Sequence, residues 1–457
     1  MAATARVALA PLAWLLAFVQ AGIERPSLLV AATVLLVTPP SDVHDVSASG
    51  HVTPADLAAA VVILAVAVRL AGGAPGIRAR RGWVPFAAAV TSFAVATITA
   101  VDVATSARGF IRYSELFVLI PVAVAMSLRD RRDVLVVAGA IVAVTAVEGA
   151  VGGYQYLTKT GASYAGQYVR AVGTFGADQV LALGALLGYG IVVTLALGLS
   201  LRGRARVGLL GLAAALAVPL ALTLSRGAWI ATACAVLLTL VVCNWRAALA
   251  VGCAAGLAVA VLSLRASATG AAGNERLTSI VSTGKVPDQS VKDRYALWSA
   301  AVAMWADHPV VGVGMKDFAL YRDSYAPMSL SAGSDVDDRG AGFRREPLLS
   351  PHNQYLMVAS EQGTVGILAF GGLLGTLAVT AVWRRRGQDW RDAVSDQPVP
   401  VERRFFDLVA PGIMIWTLID FMYGDVGAGP TSVLLGVLLG LVARRMTVVP
   451  AASEVPA

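Results

Sequence analysis

Apolar runs of about 20 residues recur along almost the whole chain and limit its fold more than any other feature, because about 20 helical residues are what a hydrocarbon layer of roughly 30 Å demands. The runs centre on residues 7–20, 27–39, 54–72, 84–101, 113–128, 133–152, 179–200, 207–224, 228–243, 247–263, 353–382, 405–421 and 427–443. They are continuously apolar, where the strands of a membrane barrel would alternate. With 57% hydrophobic residues against 14% charged ones, and a mean hydropathy of +0.70, the 457-residue chain has too little polar surface to face water. The expected fold is all-α, a polytopic transmembrane helical bundle of about 12–13 spans. Arg6 precedes the first run, but Gln20 to Pro26 offers no convincing small-residue cleavage site, so that run reads as a retained helix rather than a signal peptide.

Cationic loops stay on the cytoplasmic side of a membrane. Arg78 to Arg81, Arg129 to Arg132, Arg202 to Arg206, Arg246, Arg384 to Arg386 with Arg403 and Arg404, and Arg444 with Arg445 all fall on one side when the spans after residue 54 are threaded alternately. The net charge of +7 is therefore mostly a topology signal. No basic stretch is interleaved with base-stacking aromatics, and no nucleic-acid partner is expected. The same threading places residues 40–53, 102–112, 153–178, the Ser225-Arg226-Gly227 turn, 264–352 and Gly424 to Gly429 outside. Arg108, Arg112, Glu115, Glu148, Arg170, Asp178, Arg226, Glu361, Asp420 and Asp425 then map to the outer half. A charge in the apolar layer costs about 3 kcal/mol, so one outward-facing polar cavity shared by these residues is expected.

The chain divides into N-terminal transmembrane helices (1–263), an extracytoplasmic loop subdomain (264–352), C-terminal transmembrane helices (353–445) and a flexible tail (446–457). Within the subdomain, residues 265–290 are small and polar and read as loop. Val291, Tyr295, Trp298, Val302 and Trp305 recur at helical spacing, which predicts an amphipathic helix near 291–307 lying at the level of the lipid headgroups. A glycine-punctuated turn, Gly312-Val313-Gly314, follows, and then Phe318, Tyr321 and Tyr325. The stretch from Ser329 to Gly342, with Asp335, Asp337 and Asp338, reads as a solvated acidic loop rather than a cation site.

His352 closes this segment and begins the longest apolar helix, with Pro351 at a position suited to a helix start. A neutral imidazole accepts protons near pH 7, and guanidinium groups match phosphate oxygens. Arg170, Arg226 and Arg294 come from three separate outer segments. A base with several phosphate-binding arginines at the outer leaflet describes group transfer from a lipid-linked phosphate or diphosphate. The four histidines, at 44, 51, 308 and 352, show no metal-ligand spacing, and neither a metal nor a cofactor is expected. Cys234, Cys243 and Cys253 fall in predicted spans and suggest no disulfide framework.

The order of motifs carries a resemblance. Asp293-Arg294-Tyr295 with Trp298, Pro309, Gly312-Val313-Gly314, Phe318 and Tyr321, then His352-Asn353, Tyr355-Leu356, Glu361 and Gly363, resembles the signature region of the O-antigen ligase and polymerase superfamily. Ser225-Arg226-Gly227-Ala228-Trp229 and Arg170-Ala171-Val172-Gly173-Thr174-Phe175 are similar to two further family segments, although Gly176-Ala177-Asp178-Gln179 departs from the usual continuation of the second.

The resemblance implies a metal-independent, inverting glycosyltransferase of the GT-C type, acting in cell-surface polysaccharide biosynthesis. Its donor would be a polyprenyl-diphosphate-linked glycan and its acceptor a hydroxyl of another glycan or lipid-glycan, at the outer face of the cytoplasmic membrane. By the same resemblance His352 is the general base, Arg226 and Arg294 bind the diphosphate with Arg170 as a third contact, and Glu361, Tyr321 and Asn353 support them. A non-enzymatic flippase or transporter of lipid-linked glycans is the alternative, since it too needs an outward cavity with cationic residues. An envelope scaffold would leave the buried charges without a reason.

Overall fold

The computed structural model describes residues 20, 22–38, 52–73, 83–164, 169–176, 181–254, 256–257, 289–338, 342–394, 399–426 and 431–447. The first expected span, Arg78 to Arg81, Asp178, the end of span 247–263, the loop 265–288, His44, His51 and the tail from 448 lie outside the described residues.

The helices are α1 (Pro26–Leu35), α2 (Pro54–Ala71), α3 (Val84–Ile98), α4 (Val103–Ser114), α5 (Ile120–Ser127), α6 (Arg131–Thr158), α7 (Ala182–Ser200), α8 (Gly203–Ala215), α9 (Ala217–Leu222), α10 (Arg226–Cys243), α11 (Gln289–Asp307), α12 (Phe318–Tyr325), α13 (Gln354–Val394), α14 (Val401–Asp420) and α15 (Thr431–Thr447). Among the described residues seven helices are long and apolar enough to cross a membrane, and α1 and α3 are shorter apolar helices. The chain is a polytopic, multi-pass helical bundle.

Two expected boundaries move. Residues 102–112 form α4, capped by the Asp102 side chain on Thr105, and run through a π-helical turn (Glu115–Leu119) into α5 as one element from Val103 to Ser127. Its polar stretch had the composition of a connection, but an N-cap and continued hydrogen bonding carry the helix through it. The expected acidic loop is instead a small antiparallel sheet: β1 (Ala162–Tyr164) pairs with β2 (Ser334–Asp338), and β2 with β3 (Gly342–Glu346). Asp335 pairs with Arg345 across the β2–β3 hairpin at 2.8 Å, and a cross-strand partner of opposite charge is what lets so acidic a strand form.

Helix α7 is the centre of the bundle. It is buried along nearly all its length and packs against α6, α8, α10 and α14. Glycine makes this possible at position 188, where a Cβ would fall 2.4 Å from Trp416 Nε1 and 2.6 Å from Thr232 Oγ1. The Trp416 indole, tilted against Tyr189 at 3.9 Å between centroids, donates to that threonine at 3.0 Å. No backbone polar group is spent in this contact.

Basic residues from four helix ends gather at one end of the bundle. Arg25 reaches Asp130 and Asp133, Arg129 pairs with Asp133, Arg69 donates to Glu24 O at 2.7 Å, Arg444 lies within electrostatic range of Asp133, and Arg445 pairs with Asp407. The starts of α10 and α13 and the end of α14 lie at the opposite end, since α14 carries Asp407 near its first turns and Asp420 at its last residue.

Helix α13 is broken. Gly363 has φ 62° and ψ −159°, a conformation reserved for glycine. The freed backbone groups are taken by the segment after α11: Val313 N donates to Ser360 O at 2.8 Å, Gly314 N to Glu361 O at 3.1 Å, Thr364 N to Pro309 O at 2.8 Å and Val365 N to Val310 O at 3.2 Å. A Cβ at Gly363 would lie 2.4 Å from Val310 O. Gly363→Ala is therefore expected to cost about 2 kcal/mol or more, seen as a lower melting temperature of the detergent-solubilised protein; an unchanged melting temperature would show that the break is not held in this way.

Candidate active site

His352 occupies a turn, not the first residue of a helix. Its φ is 47°, in the left-handed region. Its N–H donates to Ser350 Oγ at 3.2 Å, and the same oxygen lies 3.4 Å from its Nδ1. The expected start at Pro351 is corrected by Asn353, whose Oδ1 accepts from the N–H groups of Tyr355 and Leu356 at 3.0 and 3.1 Å. A side-chain cap satisfies donors that a proline start would leave open, so α13 begins at Gln354 and the imidazole is free of helix geometry. The Asn353 amide also donates to Met422 O at 3.2 Å.

Arg294 stands on α11, one turn before Trp298, whose indole donates to Pro351 O at 2.8 Å. That bond ties the arginine's helix to the histidine's turn. The helix buries Asp293, Ala296, Leu297, Ala300, Ala301 and Met304, and the stripe with Tyr295, Val302 and Trp305 faces outward. Asp293 is held by Ser331 N and by Gln289 Nε2, both at 3.0 Å.

Arg226 is the first residue of α10. Ser225 caps this helix through Ala228 N at 3.4 Å, and Trp229 Nε1 donates back to Leu220 O at 2.9 Å. The turn therefore presents its guanidinium at the positive end of a helix, where an anion is doubly favoured.

Electrostatics join these groups. Burial lowers the His352 pKa below the ordinary histidine value; the Asp425 carboxylate opposes that shift and the Arg294 guanidinium adds to it. Arg294 is itself held below the usual arginine range by burial and by the neighbouring Arg226, with Asp425 and Tyr423 acting the other way. His352, Arg294, Arg226, Asp425 and Tyr423 thus form one neighbourhood. Asp425 also lies within range of Asp420, and among the described residues its buried Oδ2 has no hydrogen-bond partner. Tyr423 packs on the Arg226 turn: a Cβ at Gly227 would meet its Cβ and ring at 3.4–3.6 Å.

Other sequence-picked residues lie elsewhere. Arg170 forms a β-bridge with Ala162, and Ala171 N donates to Leu222 O at 3.1 Å, which ties its segment to the chain just before Ser225. Glu361 is buried beneath the 312–318 turn, accepting from Phe318 N at 3.4 Å, and so braces the loop. Tyr321 packs with His308 and Tyr325 in the small core under α11. Asn353 acts as the cap described above.

The single cavity expected for the outer-half charges is also corrected. Glu148 is buried against Thr174, accepting from its N–H at 3.0 Å and its hydroxyl at 2.6 Å, while Arg112 pairs with Asp56 and Glu115. Low dielectric favours such local satisfaction wherever a partner is near. Among the described residues no group of three or more His, Cys, Asp or Glu side chains is placed to hold a metal ion. Tyr423 had no signal in the sequence. Asp425 had one, its place among outer-half charges, but nothing there linked it to His352.

The polytopic bundle thus brings a histidine, two arginines and a carboxylate into one neighbourhood at one end. Residues 210–371 match a family model described as O-antigen ligase, and this match supports membership of the O-antigen ligase and polymerase superfamily. The matched stretch contains Arg226, Arg294 and His352, whereas Arg170 and Asp425 lie outside it. It supports a membrane role of O-antigen ligase type in cell-surface glycan synthesis, with a lipid-linked glycan and an acceptor as general partners. No curated protein matches the chain.

These placements set the sign of a titration. The His352 imidazole should lose its proton below the ordinary value of about 6.5. Asp425→Asn should move the midpoint further down, and Arg294→Gln should move it up. The pH dependence of His352 acylation by diethyl pyrocarbonate, read by mass spectrometry, checks both; shifts of opposite sign would mean that the three groups are not neighbours.

Proposed function

We propose that the protein is a membrane glycosyltransferase that transfers or polymerises a glycan from a polyprenyl-diphosphate donor onto an acceptor hydroxyl at the outer face of the cytoplasmic membrane. The observation that carries this reading is the approach of two guanidinium groups to each other beside one imidazole. Like charges in a poorly solvated setting repel, and a doubly charged diphosphate between them turns that cost into binding. Placement of the site opposite the gathered basic residues supports its outward direction.

In the reaction, the acceptor O–H is aligned with His352, whose neutral ring takes the proton as the oxygen attacks the anomeric carbon. The bond from that carbon to the diphosphate oxygen breaks, its electron pair leaves with the polyprenyl diphosphate, and one displacement inverts the anomeric configuration. Arg226 and Arg294 hold the growing negative charge on the leaving group, so no covalent enzyme intermediate and no metal are needed. Arg170 is a third diphosphate contact in this reading. Glu361, Tyr321 and Asn353 support the loop, its core and the histidine turn. A depressed histidine pKa keeps the base unprotonated at neutral pH.

The test uses purified protein with lipid-linked glycan extracts. His352→Ala should lower transfer by about 10²–10⁴-fold with donor binding retained. Arg226→Ala and Arg294→Ala should weaken donor binding and lower transfer by about 10²–10³-fold. Transfer that survives His352→Ala would overturn the base assignment, whereas donor binding without any transfer by the wild-type protein would favour a transporter of the same lipid-linked glycans.

A further inference from the structure

Gln354 is completely buried, and its backbone N–H and both atoms of its side-chain amide are hydrogen-bonded. Its N–H donates to Phe421 O at 2.9 Å and to Gly424 O at 3.0 Å. Its side-chain oxygen accepts from Val426 N at 2.8 Å, and its side-chain nitrogen donates to the Tyr113 hydroxyl at 3.1 Å. Three residues of the loop that follows α14 are thereby fastened to one residue of α13. Tyr423 and Asp425 lie within that loop, and His352 lies two positions before Gln354 in the chain.

Tyr113 supplies a rigid anchor on α4. Its ring is wholly buried, edge-on to Phe93 at 5.4 Å and tilted against Phe117 at 5.5 Å, with Lys316 Nζ 5.5 Å from its centroid. The anchor, the amide and the loop form a chain of hydrogen bonds in a dry setting, where each bond is stiff and leaving one open is costly. A glutamine suits the position for a stated reason. It offers an acceptor to Val426 and a donor to Tyr113 at once, and it adds no charge beside Asp425.

We infer that Gln354 is a positioning residue of the transfer reaction, fixing the 421–426 loop so that the Asp425 carboxylate stays opposite His352 and Arg294. The inference rests on His352 as the base. Gln354 touches no reacting atom and acts only through the loop. Groups facing the imidazole are Asp425 from this loop and Arg294 from α11, with Arg226 of α10 beyond Arg294. If the loop is released, the carboxylate no longer opposes burial and the guanidinium, so the imidazole loses its proton at lower pH.

The experiment compares Gln354→Leu, Gln354→Glu, Tyr113→Phe and His352→Ala in the full-length protein. Each is read by melting temperature and by the pH profile of transfer from lipid-linked glycan extract. Gln354→Leu should lower the rate at neutral pH at least about tenfold and shift the acid limb to lower pH. Gln354→Glu still accepts from Val426 and can accept from the Tyr113 hydroxyl, so it should hold the loop, and the carboxylate it adds beside Asp425 should move the acid limb to higher pH rather than lower. Tyr113→Phe keeps its ring packing and should shift the limb in the same direction as Gln354→Leu, by less.

A folded Gln354→Leu protein with the wild-type rate and limb overturns the inference. Should that variant not fold, an unmoved limb in Tyr113→Phe overturns it instead. If His352→Ala abolishes transfer while the Gln354 and Tyr113 variants match wild type, the positioning role alone fails. If His352→Ala still transfers, the base assignment fails and this inference with it.

Discussion

A helix in hydrocarbon must satisfy its own backbone, and α13 does not: it opens at Gly363. The groups released there are bound by residues 309–314, which makes the segment after α11 an inserted part of the bundle rather than a loop resting on it. Everything that places Arg294 follows from that insertion. Helix α11 is fixed at its end by the broken helix and along its length by the Trp298 bond to Pro351. Gly312 lies against the backbone of residues 360–362, and Gly363 against that of Val310 and Gly312, too closely for side chains, so the motif glycines serve contact before they serve flexibility.

The second constraint is electrostatic. Charge away from water is tolerated when it is paired nearby or kept for a ligand. Asp133, Glu148 and Arg112 are examples of the first kind, each locked to partners within its own neighbourhood. The group around His352 differs, because two guanidinium groups lie near each other and a carboxylate oxygen is buried without a hydrogen bond among the described residues. The histidine's left-handed turn adds strain of the sort that tends to gather at working sites.

Much of this was legible from residues in order. Run length predicted the bundle, and of the positive loops, Arg129 and the Arg444-Arg445 pair do meet at one end of it. The Ser225-Arg226 turn and the Asn353 region were visible as motifs, although Asn353 rather than Pro351 proved to be the cap. Less was legible where pairing crosses the chain. The strand at Ser334–Asp338 looked like a solvated loop because its partners, Ala162–Tyr164 and Gly342–Glu346, lie outside any local window. The outer-half charges looked like one set because a hydropathy profile records depth and not direction around the helix axis.

What the sequence alone determined is the solvent and the architecture: apolar runs matched to bilayer thickness leave few choices other than a helical bundle, since each helix meets that demand within itself. Only the tertiary structure decided which charges meet. Arg226, Arg294, His352 and Asp425 stand on separate elements, and their neighbourhood is set by how α10, α11, α13 and α14 pack and by the loop that Gln354 holds. Helical periodicity fixes the face of each helix without fixing the rotation of one helix against another, so no reading along the chain could have supplied that arrangement.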